Sequence, residues 1–438
     1  MKRLLIVSPH FPPVNAPDMQ RVRMSLPFFA EFGWEAHVLA VEPSGHETLE
    51  PLLTETVPGH VTVNRVKAMD PAMTRRFGFG NTALRALPFL QSRGADVLRH
   101  QAIDLVYFST TMFLAMPLGR LWKARFGVPY VLDIQDPWLS DYYETHPEVA
   151  APPKYGLARR VNAVLEPWTM KAAGGIIAVS QRYIDTLHAR YPWLATRPHA
   201  TLPFGASSHD FDVLRQHPQT NRHFDPRDGL IHGVYAGRGG DDMAVAADIL
   251  FRAYQLARTE VPTLFDRVRL HFVGTDYATD ARARQTLAPR AAAVGLDGIV
   301  DEDPARAPYF EALQMLTDAG FLVVLGSDDS SYSASKVYPY IMANRPLIAI
   351  VHDQSPLAAI VRNTRAGAVV TFADADDQAT RHQTASNLAR RWIALLTGRE
   401  RPSTDWDAFE RYSAREMTRQ QCRLFDDVVA MDARSAAA

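Results

Sequence analysis

The sequence holds a single cysteine, Cys422, among 438 residues. That excludes a disulfide framework and any zinc or iron–sulfur site built from cysteines. No apolar run approaches the roughly 18–20 residues needed to cross a bilayer. Nor is there an excess of charge of either sign: 47 Lys and Arg stand against 48 Asp and Glu, a formal net charge of −1. A chain whose main partner is nucleic acid usually carries a strongly basic domain, so no nucleic-acid partner is expected. The histidines are scattered, with no His-x-x-x-His pair on one helix, and no metal site is expected. The Gly-rich loops lack the Gly-Lys-Ser/Thr ending of a Walker A loop, and Ser180 is not in a Gly-x-Ser-x-Gly elbow. The apolar stretch after Met1-Lys2-Arg3 is too short for a secretion signal and runs at once into Pro9, Pro12 and Pro13. A cytoplasmic chain is therefore expected.

What is present is an alternation. Leu4-Leu5-Ile6-Val7 reads as a buried parallel strand, followed by a loop, a helical pattern from Met19 to Phe32, a stop at Gly33 and a second strand. Strands at 61–66, 104–109, 129–134 and 175–180 continue the rhythm, separated by helical stretches. The pattern dissolves between His199 and Gly229, then restarts with strands at 230–236, 269–274, 299–300, 321–326, 346–351 and 366–372. Such βαβ alternation predicts an α/β fold of doubly wound sheets. The expected organisation is an N-terminal domain over 1–205, a linker over 206–228, a second domain over 229–405 and a terminal helix over 406–438. The stretch 73–94 mixes Arg75, Arg76 and Arg85 with Phe77, Phe79, Leu87 and Phe89. It reads either as an interfacial helix making peripheral membrane contact or, preferably, as an ordinary helix with its apolar face in the core.

Doubly wound sheets bind ligands beyond the carboxyl ends of their strands, and the chemically interesting residues fall there. The first loop and helix supply Ser8, His10, Asn15, Asp18, Arg21 and Arg23, a set that could hold a phosphate or carboxylate. Asp133, Gln135, Asp136 and Trp138 sit at the tip of an otherwise apolar strand, where a carboxylate could take a proton or hold an acceptor hydroxyl. The turn Gly237-Arg238-Gly239-Gly240 lets the backbone approach a ligand while Arg238 grips a diphosphate. Gly274 and Asp276 repeat that architecture, and turn chemistry alone explains both. Val300, Asp301 and Glu302 end a short strand where a nucleobase could stack. The segment 325–350 places Tyr332, Ser333, Ser335 and Lys336 in a loop rich in donors, a ready diphosphate cradle.

Taken in order, these segments resemble the group 1 retaining glycosyltransferases of the GT-B fold. The resemblance rests on the first-loop sequence SPHFPP, on PYVLDIQDPW at 129–138, on VYAGRGG at 234–240, and most of all on YSASKVYPYIMANRPLIAI at 332–350. It implies two Rossmann-like doubly wound domains facing a cleft, with the terminal helix crossing back to the first. It also implies transfer of a sugar from a nucleotide diphosphate-sugar to a glycan or lipid-linked acceptor, at the inner face of the membrane in the lipid-linked case, with neither cofactor nor metal. The implied catalytic residues are Asp133, Asp136, Arg238 and Lys336. Donor contacts would come from Gly237, Arg238, Gly239, Gly274, Val300, Tyr332, Ser333, Ser335 and Lys336, and acceptor contacts from His10, Asn15, Arg21 and Trp138. Three departures stand out. Asn15-Ala16 replaces a glycine pair, Asp241-Asp242 stands where a lysine is usual, and the Glu-x7-Glu pair is lost, its second position being Pro339. A non-catalytic scaffold on the same fold, and a nucleotide-sugar epimerase, are the alternatives these departures leave open.

Overall fold

A computed structural model describes residues 1–45, 47–74, 81–145, 151, 154–276, 283–329, 335–400 and 403–437. The chain forms two compact units, one of residues 1–205 with 414–438 and the other of residues 206–413.

The first unit is built on β1 (Lys2–Val7), β2 (Trp34–Val41), β3 (Thr62–Val66), β4 (Leu105–Ser109), β5 (Tyr130–Ile134), β6 (Gly175–Ala178) and β7 (His199–Thr201). Its sheet runs in the order β3-β2-β1-β4-β5-β6-β7, every pairing parallel. Continuous apolar strands follow from covering both faces. In β1, Leu5 and Val7 enter one buried cluster while Leu4 and Ile6 enter the other, as the two-residue strand period requires. The helices flanking this sheet include α1 (Gln20–Ser25), α2 (Thr82–His100), α3 (Pro117–Phe126), α4 (Tyr155–Met170) and α5 (Gln181–Arg190). The expected helix 19–32 stops early because Pro27 interrupts it, leaving a separate 3-10 turn at Phe29–Phe32.

Helix α2 decides the question of the 73–94 stretch as far as the structure describes it. Ala83, Ala86, Leu90, Ala95 and Val97 are buried. Arg85 is buried too, donating to the carbonyl of Met69 at 2.7 Å and to Thr82 Oγ1 at 3.1 Å. The face is a core face, with Phe89 left exposed. Arg75, Arg76, Phe77 and Phe79 lie outside the described residues.

The second unit repeats the plan with β8 (Ile231–Ala236), β9 (Val268–Val273), β10 (Val300–Asp303), β11 (Phe321–Leu325), β12 (Leu347–His352) and β13 (Ala368–Phe372). Its parallel sheet is ordered β10-β9-β8-β11-β12-β13. Its helices include α6 (Ser208–Gln216), α7 (Ala244–Glu260), α8 (Ala288–Ala293), α9 (Tyr309–Asp318), α10 (Val337–Met342), α11 (Pro356–Asn363) and α12 (Gln378–Leu396). The stretch expected as a linker, 206–228, belongs to this unit. Helix α6 buries Phe211, Val213 and Leu214 and packs on α9, and Phe224 stacks against His232 with ring centroids 4.4 Å apart.

The last helix, α13 (Ala414–Ala437), returns to the first unit. Its Phe425 is fully buried against Tyr107, Trp34 and Phe29, at 5.0, 5.6 and 6.4 Å between centroids. Gly205 permits the crossing. A Cβ there would stand 2.7 Å from Cα and 2.8 Å from the backbone nitrogen of Ala414.

Candidate functional site

In both units the strand order reverses next to the first strand, between β1 and β4 and between β8 and β11. At such a switch point the loops leaving the two strands diverge and open a crevice.

In the first unit the two loops meet through Asp18. This carboxylate is buried and accepts hydrogen bonds from His10 Nδ1 at 2.8 Å, Thr110 Oγ1 at 2.8 Å and the Thr111 amide at 3.2 Å. Burial alone would raise the Asp18 pKa, yet the bond and charge of His10, with the two threonine donors, bring it below the ordinary value. Burial likewise works to lower the His10 pKa, and the bond and charge of Asp18 outweigh it, so His10 titrates above its usual value. The imidazole keeps part of its surface open. Asp136, at the end of β5, is exposed by area. The protein surrounding it, and secondarily the negative charge of Asp18, raise its pKa.

Other residues expected here are committed elsewhere. Asp133 is fully buried, and its Oδ2 accepts from Arg21 Nε at 2.8 Å, Ser109 Oγ at 2.7 Å and Gln135 Nε2 at 2.8 Å. Arg21, equally buried, also donates to the carbonyls of Leu202 at 2.6 Å and Pro203 at 3.2 Å. Expected as a catalytic carboxylate and an acceptor contact, Asp133 and Arg21 instead neutralise each other and tie α1 to the strand ends. Asn15 gives its side-chain amide to Glu50 at 2.8 Å. Trp138 is buried, stacked on Phe113 at 5.5 Å, with its indole N–H on Asn162. Of the four expected acceptor contacts, His10 alone keeps a surface to offer.

The second unit gathers positive charge. The turn after β8 is shaped by Gly240 at φ 124°, a conformation open to glycine and strained for other residues. Gly239 abuts Thr286, whose Oγ1 a Cβ would meet at 2.6 Å, and donates its amide to the Thr275 carbonyl at 2.7 Å. Arg238 forms a two-pronged pair with Asp242, one prong at 3.0 Å. Asp242 in turn accepts from Ser327 Oγ at 2.7 Å, and its carbonyl accepts the Asp328 amide at 2.8 Å. The loop after β11 thereby fixes the arginine of the loop after β8.

Lys336 completes the group. It is exposed by area, yet enough protein surrounds it that lost hydration lowers its pKa, and the positive charges of Arg306 and Arg238 lower it further. Lys336 therefore lies within reach of the charges of both arginines. Arg306 sits beside Gly274, whose added Cβ would lie 3.8 Å from the Arg306 Cα. Gly274 has φ 74° and donates its amide to the Asp303 carbonyl at 2.9 Å. Val300 opens β10, half-buried against the core. Glu302 serves structure: buried, it accepts from Thr275 Oγ1 and from the amides of Thr286, Leu287 and Ala288 at 2.6–3.0 Å. Ser335 is half-buried beside Lys336, while Tyr332 and Ser333 lie outside the described residues. Arg306 and Asp242 are functional candidates that the sequence reading placed in these loops without counting them among the expected site residues. The signal for Asp242 was its i+4 spacing from Arg238.

Residues 21–205 match the family model of the Glycosyl transferase 4-like domain. No curated protein matches the chain in sequence. Among solved structures, "Trehalose-6-phosphate from E. coli bound with UDP-2-fluoro glucose" is similar at 12% identity and TM-score 0.58, over 98% of this chain and 99% of that one. An alpha,alpha-trehalose-phosphate synthase (UDP-forming) from Burkholderia vietnamiensis follows at 12% identity and TM-score 0.57, over 96% of each. The N-terminal domain of trehalose-6-phosphate phosphatase from Candida albicans is similar at 14% identity and TM-score 0.53, over 98% of this chain and 97% of that one. At these identities the likeness establishes the fold, which is GT-B. Within that fold, the N-terminal residues 21–205 are the part that is similar to a Glycosyl transferase 4-like domain.

Proposed function

We propose that the enzyme transfers a sugar from a nucleotide diphosphate-sugar to a glycan or lipid-linked acceptor, as in the building of cell-envelope polysaccharides. The observation that carries this reading is the turn after β8, where Gly240 at φ 124° and Gly239 packed on Thr286 bring the backbone forward and Asp242 holds Arg238, with Lys336 near enough to feel the charges of Arg238 and Arg306. Cations within reach of one another repel, and a diphosphate relieves that repulsion. In the transfer, the acceptor oxygen bonds to the anomeric carbon as the bond to the diphosphate oxygen breaks. Charge then grows on the leaving diphosphate, where preorganised cations stabilise it most. Asp242 keeps Arg238 aimed, and Gly237, Gly239 and Gly274 let the backbone come near the ligand.

On the first unit, His10 and Asp136 are the groups proposed to meet the acceptor. His10, oriented by Asp18, is suited to hold or accept a hydroxyl proton. Among the described residues there is no group of three His, Cys, Asp or Glu side chains able to hold a metal ion, and the proposed stabilisation of the diphosphate rests on arginine and lysine. The E. coli relative bound to a UDP-sugar analogue supports a nucleotide-sugar donor.

The test is a thermal-shift panel of UDP, GDP, ADP and CMP with their sugars. A ligand at about 100 times its dissociation constant stabilises by roughly 2.7 kcal/mol. One nucleotide should stand out, and its shift should vanish in Arg238→Ala. A flat panel, or a shift that survives the substitution, would overturn the assignment of the donor site.

A further inference from the structure

Helix α4 carries an apolar face that stands exposed among the described residues. Leu157, Val161 and Val164 are 64%, 42% and 67% exposed. With Trp168 they recur at intervals of four, three and four residues, which aligns them in one stripe along the helix. Trp168 is half-buried, its ring under the Arg120 guanidinium at 4.6 Å. Helix α3 packs beside α4 and adds exposed Leu121 and Arg125.

The exposed charges that α4 and its two ends themselves carry are positive. Lys154, Arg160 and Lys171 are exposed along it. The single carboxylate of α4, Glu166, is 1% exposed and points inward, accepting from the Leu139 amide, Arg190 and the Tyr191 hydroxyl. Asp141 and Glu144, near the start of the helix, are engaged with Arg159. In a chain whose formal net charge is −1, this is a local concentration of positive charge around exposed aliphatic and indole side chains.

We infer that α4 is a docking helix for an anionic lipid surface. An amphipathic helix with cations beside its apolar face lies in the headgroup region, apolar side down, and is held jointly by apolar burial and attraction to acidic lipids. A tryptophan at the edge of the stripe suits that interface. The inference names a surface different from the 73–94 stretch, and it stands whether or not the donor reading does.

The experiment is co-sedimentation of the full chain with vesicles of phosphatidylcholine, with and without phosphatidylglycerol. Binding is expected only to the acidic vesicles and should weaken as salt is raised. Leu157→Glu combined with Val164→Glu should reduce the apparent affinity at least roughly tenfold, and Lys154→Glu with Arg160→Glu should do the same. All four positions are exposed, and an unchanged circular-dichroism spectrum and melting temperature would verify that each variant is folded. Failure of the wild type to bind acidic vesicles, or equal binding by the variants, overturns the inference. So does a stripe that instead joins two copies, seen as a dimer in sedimentation velocity that Leu157→Glu with Val164→Glu makes monomeric.

Discussion

Replacing Arg21 with methionine tests whether Asp133 belongs to structure or to chemistry. Methionine fills much of the arginine's volume, so the perturbation is mainly the loss of charge and donors. Asp133 would be left fully buried without its cation, and the carbonyls of Leu202 and Pro203 would lose their donor. Removing one partner of a buried ion pair typically costs about 3–5 kcal/mol, a large share of the roughly 5–15 kcal/mol that holds a typical domain folded. For a unit of this size that corresponds to a melting point lower by roughly 6–20 °C. Scanning calorimetry is the assay, because two units can melt separately and only one transition should move. Arg21→Met with Asp133→Leu should recover much of the loss, since removing both charges of a buried pair is often close to neutral. A first unit that melts within about 1 °C of the wild type while transfer collapses would refute the reasoning. The pair would then belong to the reaction.

Three further outcomes follow from the same geometry. Asp242→Asn should loosen Arg238 and weaken nucleotide binding by about five- to tenfold at unchanged melting temperature, read by calorimetric titration. His10→Gln should destabilise the first unit by about 0.5–1 kcal/mol near pH 5 and by less near pH 8. A raised histidine pKa stabilises below the unfolded value of 6.5 and fades as pH rises through the folded value. The depressed Asp18 pKa stabilises above 3.8 and fades as pH falls through its own folded value, so the window lies between them. Urea titrations across that range check the sign. Phe425→Ala should cost about 3–5 kcal/mol, because its ring is buried among Tyr107, Trp34 and Phe29. Guanidinium unfolding of the first unit reads that loss.

The parallel strands were legible because a strand covered on both faces is written as an unbroken apolar run, and Leu4–Val7 or Leu347–Val351 can be little else. The location of the candidate site was legible for a topological reason, since strand ends at a switch point are where loops open. Strand β7 was missed because its three residues, His199–Thr201, carry no apolar signal and owe their conformation to pairing with β6. The supposed linker was misread because Pro, Asp and His residues outweigh the short run Phe211-Asp212-Val213-Leu214 that anchors α6. Individual polar roles were the least legible. Arg21 looks like any surface arginine until the fold brings Asp133, 112 positions away, to its guanidinium. The partners of Asn15 and Trp138, Glu50 and Asn162, could likewise be identified only by folding. Arg306 joined the cations through the same long-range assembly, with Lys336 thirty residues further along the chain.

The central claim is that Arg238, Arg306 and Lys336 hold a nucleoside diphosphate together. Its most direct test is calorimetric titration of the nucleoside diphosphate that stabilises the wild type into Arg306→Ala and Lys336→Ala. Each lost charge-assisted bond should cost about 1.5–3 kcal/mol, a roughly 10- to 150-fold weaker dissociation constant. Dissociation constants within about twofold of the wild type in both variants would contradict the account and move the donor away from this cluster.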